Sequence, residues 1–418
     1  MLDLLEPHEP PRESAPPPGA PQRADDRRHV CVVTDTWAPE VNGVALTLGR
    51  LVDGLRARGH LVSLVCPRGR GRRTGEEGRD PALTLVPGLP VPGYRGLRFG
   101  LPAHARLRER WARCAPDVVY VATEGPLGWS AVRTARALGL PVLGGFHTNF
   151  HGYARHYRIG WLEHGIARYL RRFHNRTDGT LVPTADLRDR LRTVGFENVS
   201  VLGRGVDGRL FNPARRSAAL RARWGASEGD VVALYVGRLA PEKNVELAVT
   251  AYRSMWQAAG SVRGVVVGDG PSRAALEAQH PDLLFCGELT GDTLAEHYAS
   301  ADVFLFPSET ETFGNVTLEA MASGLAVVAY DYAAARVHVT SGWTGLLAQH
   351  GDAVAFVEAA TALARSPERL ARIRARVREA VTHLHWDHVV ARFEACLAEA
   401  WRVPIEAGAS RSGGGQRR

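Results

Sequence analysis

Val303-Phe-Leu-Phe-Pro-Ser-Glu-Thr-Glu-Thr-Phe-Gly-Asn-Val-Thr-Leu-Glu-Ala-Met-Ala-Ser-Gly-Leu-Ala-Val-Val-Ala-Tyr330 is the stretch that decides the fold. Its two apolar runs, Val303–Phe306 and Leu325–Tyr330, are continuous rather than alternating, the pattern of strands buried on both faces. Between them lies a turn-rich loop, and from Asn315 a helical pattern. Strand, helix and strand in that order predict two parallel strands joined by a helical crossover.

The same rhythm extends outward in both directions. Towards the N-terminus lie the candidate strands Val231–Val236, Val262–Val267 and Leu283–Cys286. Earlier still, His29–Thr34 is followed by a helix with Val44, Leu48, Leu51 and Leu55 on one face, closed by Gly59, and then by Leu61–Cys66. Val118–Val121, Val142–Phe146 and Thr180–Val182 continue the series. Around Gly203–Arg215 the pattern breaks. The expected architecture is α/β, with two doubly wound, Rossmann-like domains over residues 29–203 and 216–380, a linker at 204–215 and a helix within 381–404. That helix (Val389, Phe393, Cys396, Leu397) is amphipathic and is expected to pack on one of the domains. Residues 1–28 and 405–418, rich in proline, glycine and charge, read as disordered tails, and Arg68–Asp80 as a mobile loop. Two such domains turn the carboxyl ends of their strands towards a shared cleft.

Composition narrows the function. The 418 residues are 45% hydrophobic and 23% charged, ordinary for a soluble globular protein. No apolar run is long enough to span a bilayer, and the acidic, proline-rich start lacks the order of a secretory signal. Five scattered cysteines, none in a CxxC pair, disfavour a disulfide framework or zinc module and fit a reducing cytoplasm. The net charge of +8 fits either a basic but merely solvated surface or attraction to anionic lipid head groups or phosphorylated substrates. No recognition helix, zinc spacing or RNA-binding aromatic strand is present, so nucleic acid is not an expected partner. Of the 52 basic residues Lys243 alone is lysine, which draws attention to its segment.

That segment is Tyr235-Val-Gly-Arg-Leu-Ala-Pro-Glu-Lys-Asn244. Gly237 lets the chain turn at the strand end, and Arg238 and Lys243 can flank one anionic pocket, a guanidinium and an ammonium suited to a pyrophosphate. The plainer alternative is two loop cations paired with Glu242. Val267-Gly-Asp-Gly-Pro271 is a second strand–turn–helix junction, where Gly268 permits close backbone approach and Asp269 is either a contact residue or an ordinary loop acid. It lacks the third glycine of a dinucleotide fingerprint, which argues against a dehydrogenase. In the opening stretch Glu311 falls in the loop and Glu319 on the second helical turn. Two such carboxylates can accept hydroxyl hydrogen bonds from a sugar and a ribose, while the amides of Phe313–Val316 bind phosphate oxygens.

In combination, Gly237-Arg238…Lys243, Gly268-Asp-Gly270, Pro307-Ser308 and Glu311-x7-Glu319 resemble the retaining, nucleotide-sugar-dependent glycosyltransferases of family four, which have the GT-B fold. Thr34-Asp-Thr-Trp-Ala-Pro-Glu-Val-Asn-Gly-Val44, Ala122-Thr-Glu-Gly-Pro-Leu-Gly128 and Phe146-His-Thr-Asn-Phe150 resemble the same family, over residues 29–400. The branch is that of GDP-mannose-dependent α-mannosyltransferases and sulfoquinovosyl transferases. The resemblance implies that Arg238 and Lys243 neutralise the diphosphate and that Glu319 holds the ribose. It implies that Glu311, with the amides of Phe313 and Gly314 and the helix start at Asn315 and Val316, binds the donor sugar. His147 contacts that sugar from the other domain, and Asn42 and Gly43 open the first helix near the diphosphate or acceptor. Glu288 and Leu289 lie near the base. No metal or other cofactor is implied; the nucleotide sugar is the donor and a hydroxyl, lipid-linked in this branch, the acceptor. The chain departs from the family at Asp331-Tyr-Ala-Ala-Ala-Arg336, where relatives carry a glycine pair and an acid, and at Asn42-Gly43, where many have paired glycines.

Two other features compete for attention. His383, His385 and His388 have partial metal-ligand spacing, but no Glu or Cys completes it. Tyr153–Phe173 interleaves aromatics with arginines, consistent either with resting on an anionic membrane or with interior packing. The expected activity is hexosyl transfer, of mannose from GDP-mannose, to a glycolipid, in the cytoplasm or peripherally at the membrane. A UDP-sugar transferase to diacylglycerol (glucosyl, glucuronosyl or sulfoquinovosyl), a nucleotide-sugar 2-epimerase and a non-catalytic anionic-surface binder are the alternatives.

Overall fold

The computed structural model describes residues 27–40, 42–68, 82–91, 98–147 and 163–402. The expectations for the two tails, the Arg68–Asp80 loop and the Tyr153–Trp161 stretch fall wholly or largely outside them. The N-terminal sheet is formed by β1 (His29–Val33), β2 (Leu61–Pro67), β3 (Leu83–Val86), β6 (Val118–Val121), β7 (Val142–Gly145), β8 (Gly179–Val182) and β9 (Val199–Val201). They are all parallel, in the order β3-β2-β1-β6-β7-β8-β9. A small antiparallel hairpin joins β4 (Gly88–Pro90) and β5 (Arg98–Gly100).

The C-terminal sheet is formed by β10 (Val231–Val236), β11 (Val262–Val267), β12 (Leu284–Phe285), β13 (Val303–Phe306), β14 (Ala326–Tyr330) and β15 (Gly345–Ala348). It is also parallel, in the order β12-β11-β10-β13-β14-β15. Its central strands are buried on both faces, except at Val231 where β10 begins, which is why they read as unbroken apolar runs. In each sheet the strand order reverses once, between β1 and β6 and between β10 and β13. Loops leaving the carboxyl ends at such reversals splay apart and open a crevice.

Four boundaries move from the sequence expectation. Leu283–Cys286 shrinks to two paired residues, and β3, β9 and β15 are strands that no clear apolar run announces. All of these lie at sheet edges, where pairing on one side needs less apolar sequence. The helix Trp386–Arg402 crosses back to the N-terminal domain, burying Val390, Phe393, Cys396 and Leu397 among Leu48, Leu51, Leu55 and Tyr120. A side chain at Gly54 would overlap the Val390 side chain, which packs directly on the backbone of the first helix there. Glu394 fixes the register by accepting from Arg58 and pairing with His60 (3.0 Å). The chain thus passes between domains twice, and the passages touch: Val206 N donates to Leu384 O (2.8 Å), and a Cβ on Gly205 would press on the Trp386 backbone.

Candidate active site

The loops after β10 and β13 leave adjacent strands at the C-terminal reversal, and Lys243 and Glu311 meet across them. Pro241 starts a single 3-10 turn ending at Lys243, and Asn244 follows in the left-handed region (φ 51°), which asparagine tolerates better than most residues. The Asn244 side chain reaches Glu309 Oε1 (3.4 Å), tying the two loops. Lys243 Nζ donates to Glu311 Oε1 and to Thr310 O (3.1 Å). Ser308 Oγ donates to the same carboxylate oxygen (2.9 Å), and the Tyr332 hydroxyl holds Glu311 O (2.8 Å). Lysine and glutamate are each about one-seventh exposed, at 14%. The expected alternative, pairing with Glu242, does not occur. Glu242 is wholly buried with neither carboxylate oxygen bonded among the described residues, and Lys243 turns the other way.

Beside this pair the helix Asn315–Ala322 begins. Gly314 caps it at φ 91°, a conformation that favours glycine, and no side chain caps the first turn. The leading amides, from Asn315 and Val316, therefore point at the crevice without an intrahelical acceptor. One turn further in, Glu319 accepts from the Tyr298 hydroxyl (3.1 Å). Burial pushes the Glu319 carboxyl up to about 7, against the opposing pull of that hydrogen bond. A carboxylate so placed holds its charge best when further hydroxyls bond to it.

Gly237, Gly268 and Gly287 form a ladder of loops beside the pair. Gly237 N donates to Val267 O (3.0 Å) and Gly268 N to Gly287 O (2.8 Å). At Gly268 (φ 142°) a Cβ would overlap Gly237 O, and at Gly270 one would overlap Leu239 O. These glycines are thus required by loop-on-loop packing itself. Asp269 Oδ1 accepts from Gly270 N (2.7 Å) and its carboxylate lies 3.7 Å from Arg273, so it acts within its own turn. Arg238 is partly exposed on the next loop, its carbonyl held by the Tyr235 hydroxyl (3.1 Å). Beyond Gly287, Glu288 is exposed and Leu289 partly buried.

From the facing domain, Asn42 caps the helix Gly43–Ala57, accepting from Val44 N (3.1 Å) and Ala45 N (2.9 Å). Thr47, on the first turn of that helix, receives the side-chain amide of Asn315 at 3.5 Å, bringing the two helix starts together. His147, just past β7, is buried, its Nε2 2.8 Å from the Tyr120 hydroxyl and its Nδ1 3.1 Å from Arg204 Nη2. The rest of its motif, Thr148 to Phe150, lies outside the described residues. On the loop after β1 burial pushes the Asp35 carboxyl up to about 6, partly offset by the Gly100 amide (2.8 Å). Glu124 accepts from His174 (3.2 Å).

Several supporting residues were not anticipated. Ser308 stood within a motif, but Tyr332, Tyr298, Tyr120 and Arg204 are recognisable only once the loops are folded together. Among the described residues no three His, Cys, Asp or Glu side chains converge as metal ligands, and the His385 and His388 rings lie 6.1 Å apart. Of the basic-aromatic stretch, Phe173 is buried in the interior, whereas Tyr169 packs on Trp129 and donates to Glu124 O but stays exposed at 41%. Arg168, Arg171 and Arg172 remain exposed.

Two Rossmann-like domains, with a cation–carboxylate pair and a free helix start at one switch point, fit the expected nucleotide-sugar-dependent glycosyltransferase of the GT-B fold. Comparison with known proteins agrees. Residues 41–209 match the profile of Glycosyltransferase Family 4, and residues 230–366 that of Glycosyl transferases group 1. A GDP-mannose-dependent alpha-mannosyltransferase of Mycolicibacterium smegmatis is 38% identical over 321 residues, 76% of this chain and 84% of the relative. One of Corynebacterium glutamicum is 31% identical over 390 residues, 90% of this chain and 91% of the relative. Sucrose-phosphate synthase from Thermosynechococcus elongatus superposes with a TM-score of 0.73 at 19% identity, over 90% of this chain and all of the other. The chain belongs to glycosyltransferase family 4.

Proposed function

We propose that this enzyme transfers mannose from GDP-mannose to a hydroxyl of a glycolipid, with retention at the anomeric carbon. The donor is suggested by the relatives named for it at 31–38% identity over most of both chains. The acceptor class is suggested by more distant ones: an alpha-monoglucosyldiacylglycerol synthase (28% identical) and a phosphatidylinositol dimannoside mannosyltransferase (28%). Retention follows from chemistry, because mannose is α-linked in GDP-mannose and these relatives are named for α-linked products.

The single observation that carries the mechanism is the Lys243–Glu311 pair beside the uncapped helix start. Lys243, Arg238 and the amides of Asn315 and Val316 would meet the diphosphate. Glu311, with Phe313 and Gly314, would hold the sugar hydroxyls, and Glu319 the ribose. Gly237, Gly268 and Asp269 would shape the phosphate loops, and Glu288 and Leu289 would lie by the base. Asn42 and Gly43 would approach from the acceptor side, and His147 would stand by the sugar. No carboxylate sits as an evident covalent nucleophile, so the departing phosphate would take the acceptor proton on the face it leaves. Rate would come from stabilising developing phosphate charge and from positioning, without a metal. Exposed arginines on the helices His104–Arg113 (Arg106, Arg108, Arg113) and Glu163–His174 support peripheral attraction to an anionic cytoplasmic membrane surface. Among the described residues no helix is long and apolar enough to cross a membrane.

The test is a donor panel of GDP-, UDP- and ADP-sugars, scored by thermal shift and by radiolabel transfer to extracted lipid. GDP-mannose is expected to stabilise the protein most and to label lipid. Labelling from a UDP-sugar alone would overturn the donor, and release of an epimerised sugar without acceptor would overturn transfer.

A further inference from the structure

His147 is held from both sides by groups that together admit one protonation state. Its ring folds back over Gly145, where a Cβ would overlap both the imidazole and the Tyr120 hydroxyl. On one side Arg204 Nη2 lies 3.1 Å from Nδ1. A guanidinium only donates, so Nδ1 must offer its lone pair. The proton is therefore on Nε2 and is donated to the Tyr120 oxygen at 2.8 Å. A second proton would have to sit on Nδ1, facing the guanidinium.

Arg204 itself is unusual. It is 6% exposed, and no described residue brings a carboxylate within ion-pair distance. It donates instead to Leu202 O (2.8 Å), Gly203 O (3.1 Å) and His147. Keeping a cation buried without a counter-charge costs stability, only partly offset by those bonds. In sequence it looks like one more linker arginine. In the fold it precedes Gly205 at the first passage between domains, pressed against the second passage at Trp386.

We infer that Arg204 is a positioning residue that keeps His147 a neutral imidazole, protonated on Nε2, so that this ring adds no titrating charge beside the donor sugar. The inference rests on the placement of His147 beside the sugar proposed above. Positive charge grows on the sugar ring as the phosphate leaves, and an imidazolium there would oppose it. A fixed charge one side chain further back replaces a titrating one at the wall. The other ionisable groups around the ring are Tyr120 from β6 and His174 from the helix Glu163–His174, with Glu124 bonded to His174 and Cys396 of the C-terminal helix near Tyr120. Burial, then Arg204 and His174, hold the His147 pKa well below its ordinary value.

The experiment is nitrogen-15 NMR of histidine side chains, with His147 assigned by its loss in His147→Gln, beside pH profiles of sugar transfer. In the wild type the His147 ring is expected to show the neutral Nε2–H pattern, unchanged from pH 5.5 to 8. In Arg204→Met the ring should begin to titrate at the acid end of that window, and kcat should gain an acid limb, falling between pH 7.5 and 5.5 by less than the roughly tenfold of a fully ordinary histidine because burial remains. Arg204→Lys should restore the wild-type spectrum and profile. A merely structural arginine would lower activity equally at every pH, with no new titration, and that result overturns the inference. Should Arg204→Met fail to give a cooperative melt, the wild-type spectrum and Arg204→Lys decide: a wild-type ring protonated on Nδ1, or titrating near pH 6.5, overturns it. If the spectra are as expected but no nucleotide sugar is turned over, it is the transfer reading that fails, not the tautomer.

Discussion

The two switch points of this molecule are built alike and charged differently. Each places a glycine- or asparagine-started helix and two loops at a reversal of strand order. At the C-terminal reversal the loops carry Arg238 and Lys243, with the Lys243–Glu311 pair closing the crevice. At the N-terminal reversal, the loops after β1 and β6 carry Asp35 and Glu124, and the neighbouring β7 is followed by His147, whose Nδ1 faces Arg204. On the proposed reading one side would receive the diphosphate. The other offers carboxyl oxygens and a capped helix. One architecture, used twice in a chain, would then divide a transfer reaction into a charged half and a hydroxyl-handling half.

Removing the cation at the charged half has the largest expected effect. Lys243→Ala takes away a donor to the leaving group and leaves Glu311 without its partner. Sugar transfer should fall about 10²–10³-fold in kcat, the loss typical of one such donor, with substrate binding changed less. Steady-state kinetics at saturating acceptor reads it, and near-normal turnover would remove Lys243 from the chemistry.

Glycine contacts separate packing from ligand approach. Gly268→Ala puts a methyl into Gly237 O and should destabilise the fold by about 1–3 kcal/mol, seen in urea melts. Gly43→Ala, with nothing within 4 Å of the new methyl, should leave the melt unchanged. A loss of turnover in that variant alone would therefore report ligand approach at the facing helix.

Glu319 gives a pH signature. Its folded pKa of about 7 lies above the ordinary carboxyl value of 4.5, so the folded state binds more protons than the unfolded chain between those values. The contribution of Glu319 to the stability of the ligand-free protein should therefore fall as pH rises through that window and level off above it, opposite in sign to that of the buried histidines. Glu319→Gln should remove that contribution and raise the melting temperature at pH 8 by a few degrees over the wild type, while weakening nucleotide binding. A stability difference between wild type and Glu319→Gln that stays constant from pH 5 to 8 would contradict this. The smallest effect belongs to Asp269→Asn. The amide oxygen can still accept from Gly270 N, so turnover and melting should change by less than about twofold and 0.5 kcal/mol.

How much of this was legible in sequence follows from where each residue draws its partners. The central strands were visible because burial on both faces demands continuous apolar runs. The edge strands β3, β9 and β15 were missed, and β12 was overextended, because an edge imposes that demand on fewer residues. The helix starts at Asn42 and Gly314 were readable, since capping is local. What Lys243 would pair with was not: Glu242 is its neighbour in sequence, but Glu311 arrives from 68 residues away across adjacent strands. Arg204, Tyr120 and Tyr332 were invisible for the same reason. The direction taken by the C-terminal helix was equally open, because an amphipathic face says that something is covered, not by which domain.

The central claim is that a nucleoside diphosphate is held by its phosphates between the loops after β10 and β13. Calorimetric titration of the best-binding nucleoside diphosphate and of its parent nucleoside, into the wild type and the Arg238→Ala/Lys243→Ala double variant, tests it most directly. The diphosphate should lose about 100-fold in affinity, as expected for two lost charged hydrogen bonds, while the nucleoside binds both proteins alike. Equal affinity of the diphosphate for both proteins would contradict the account.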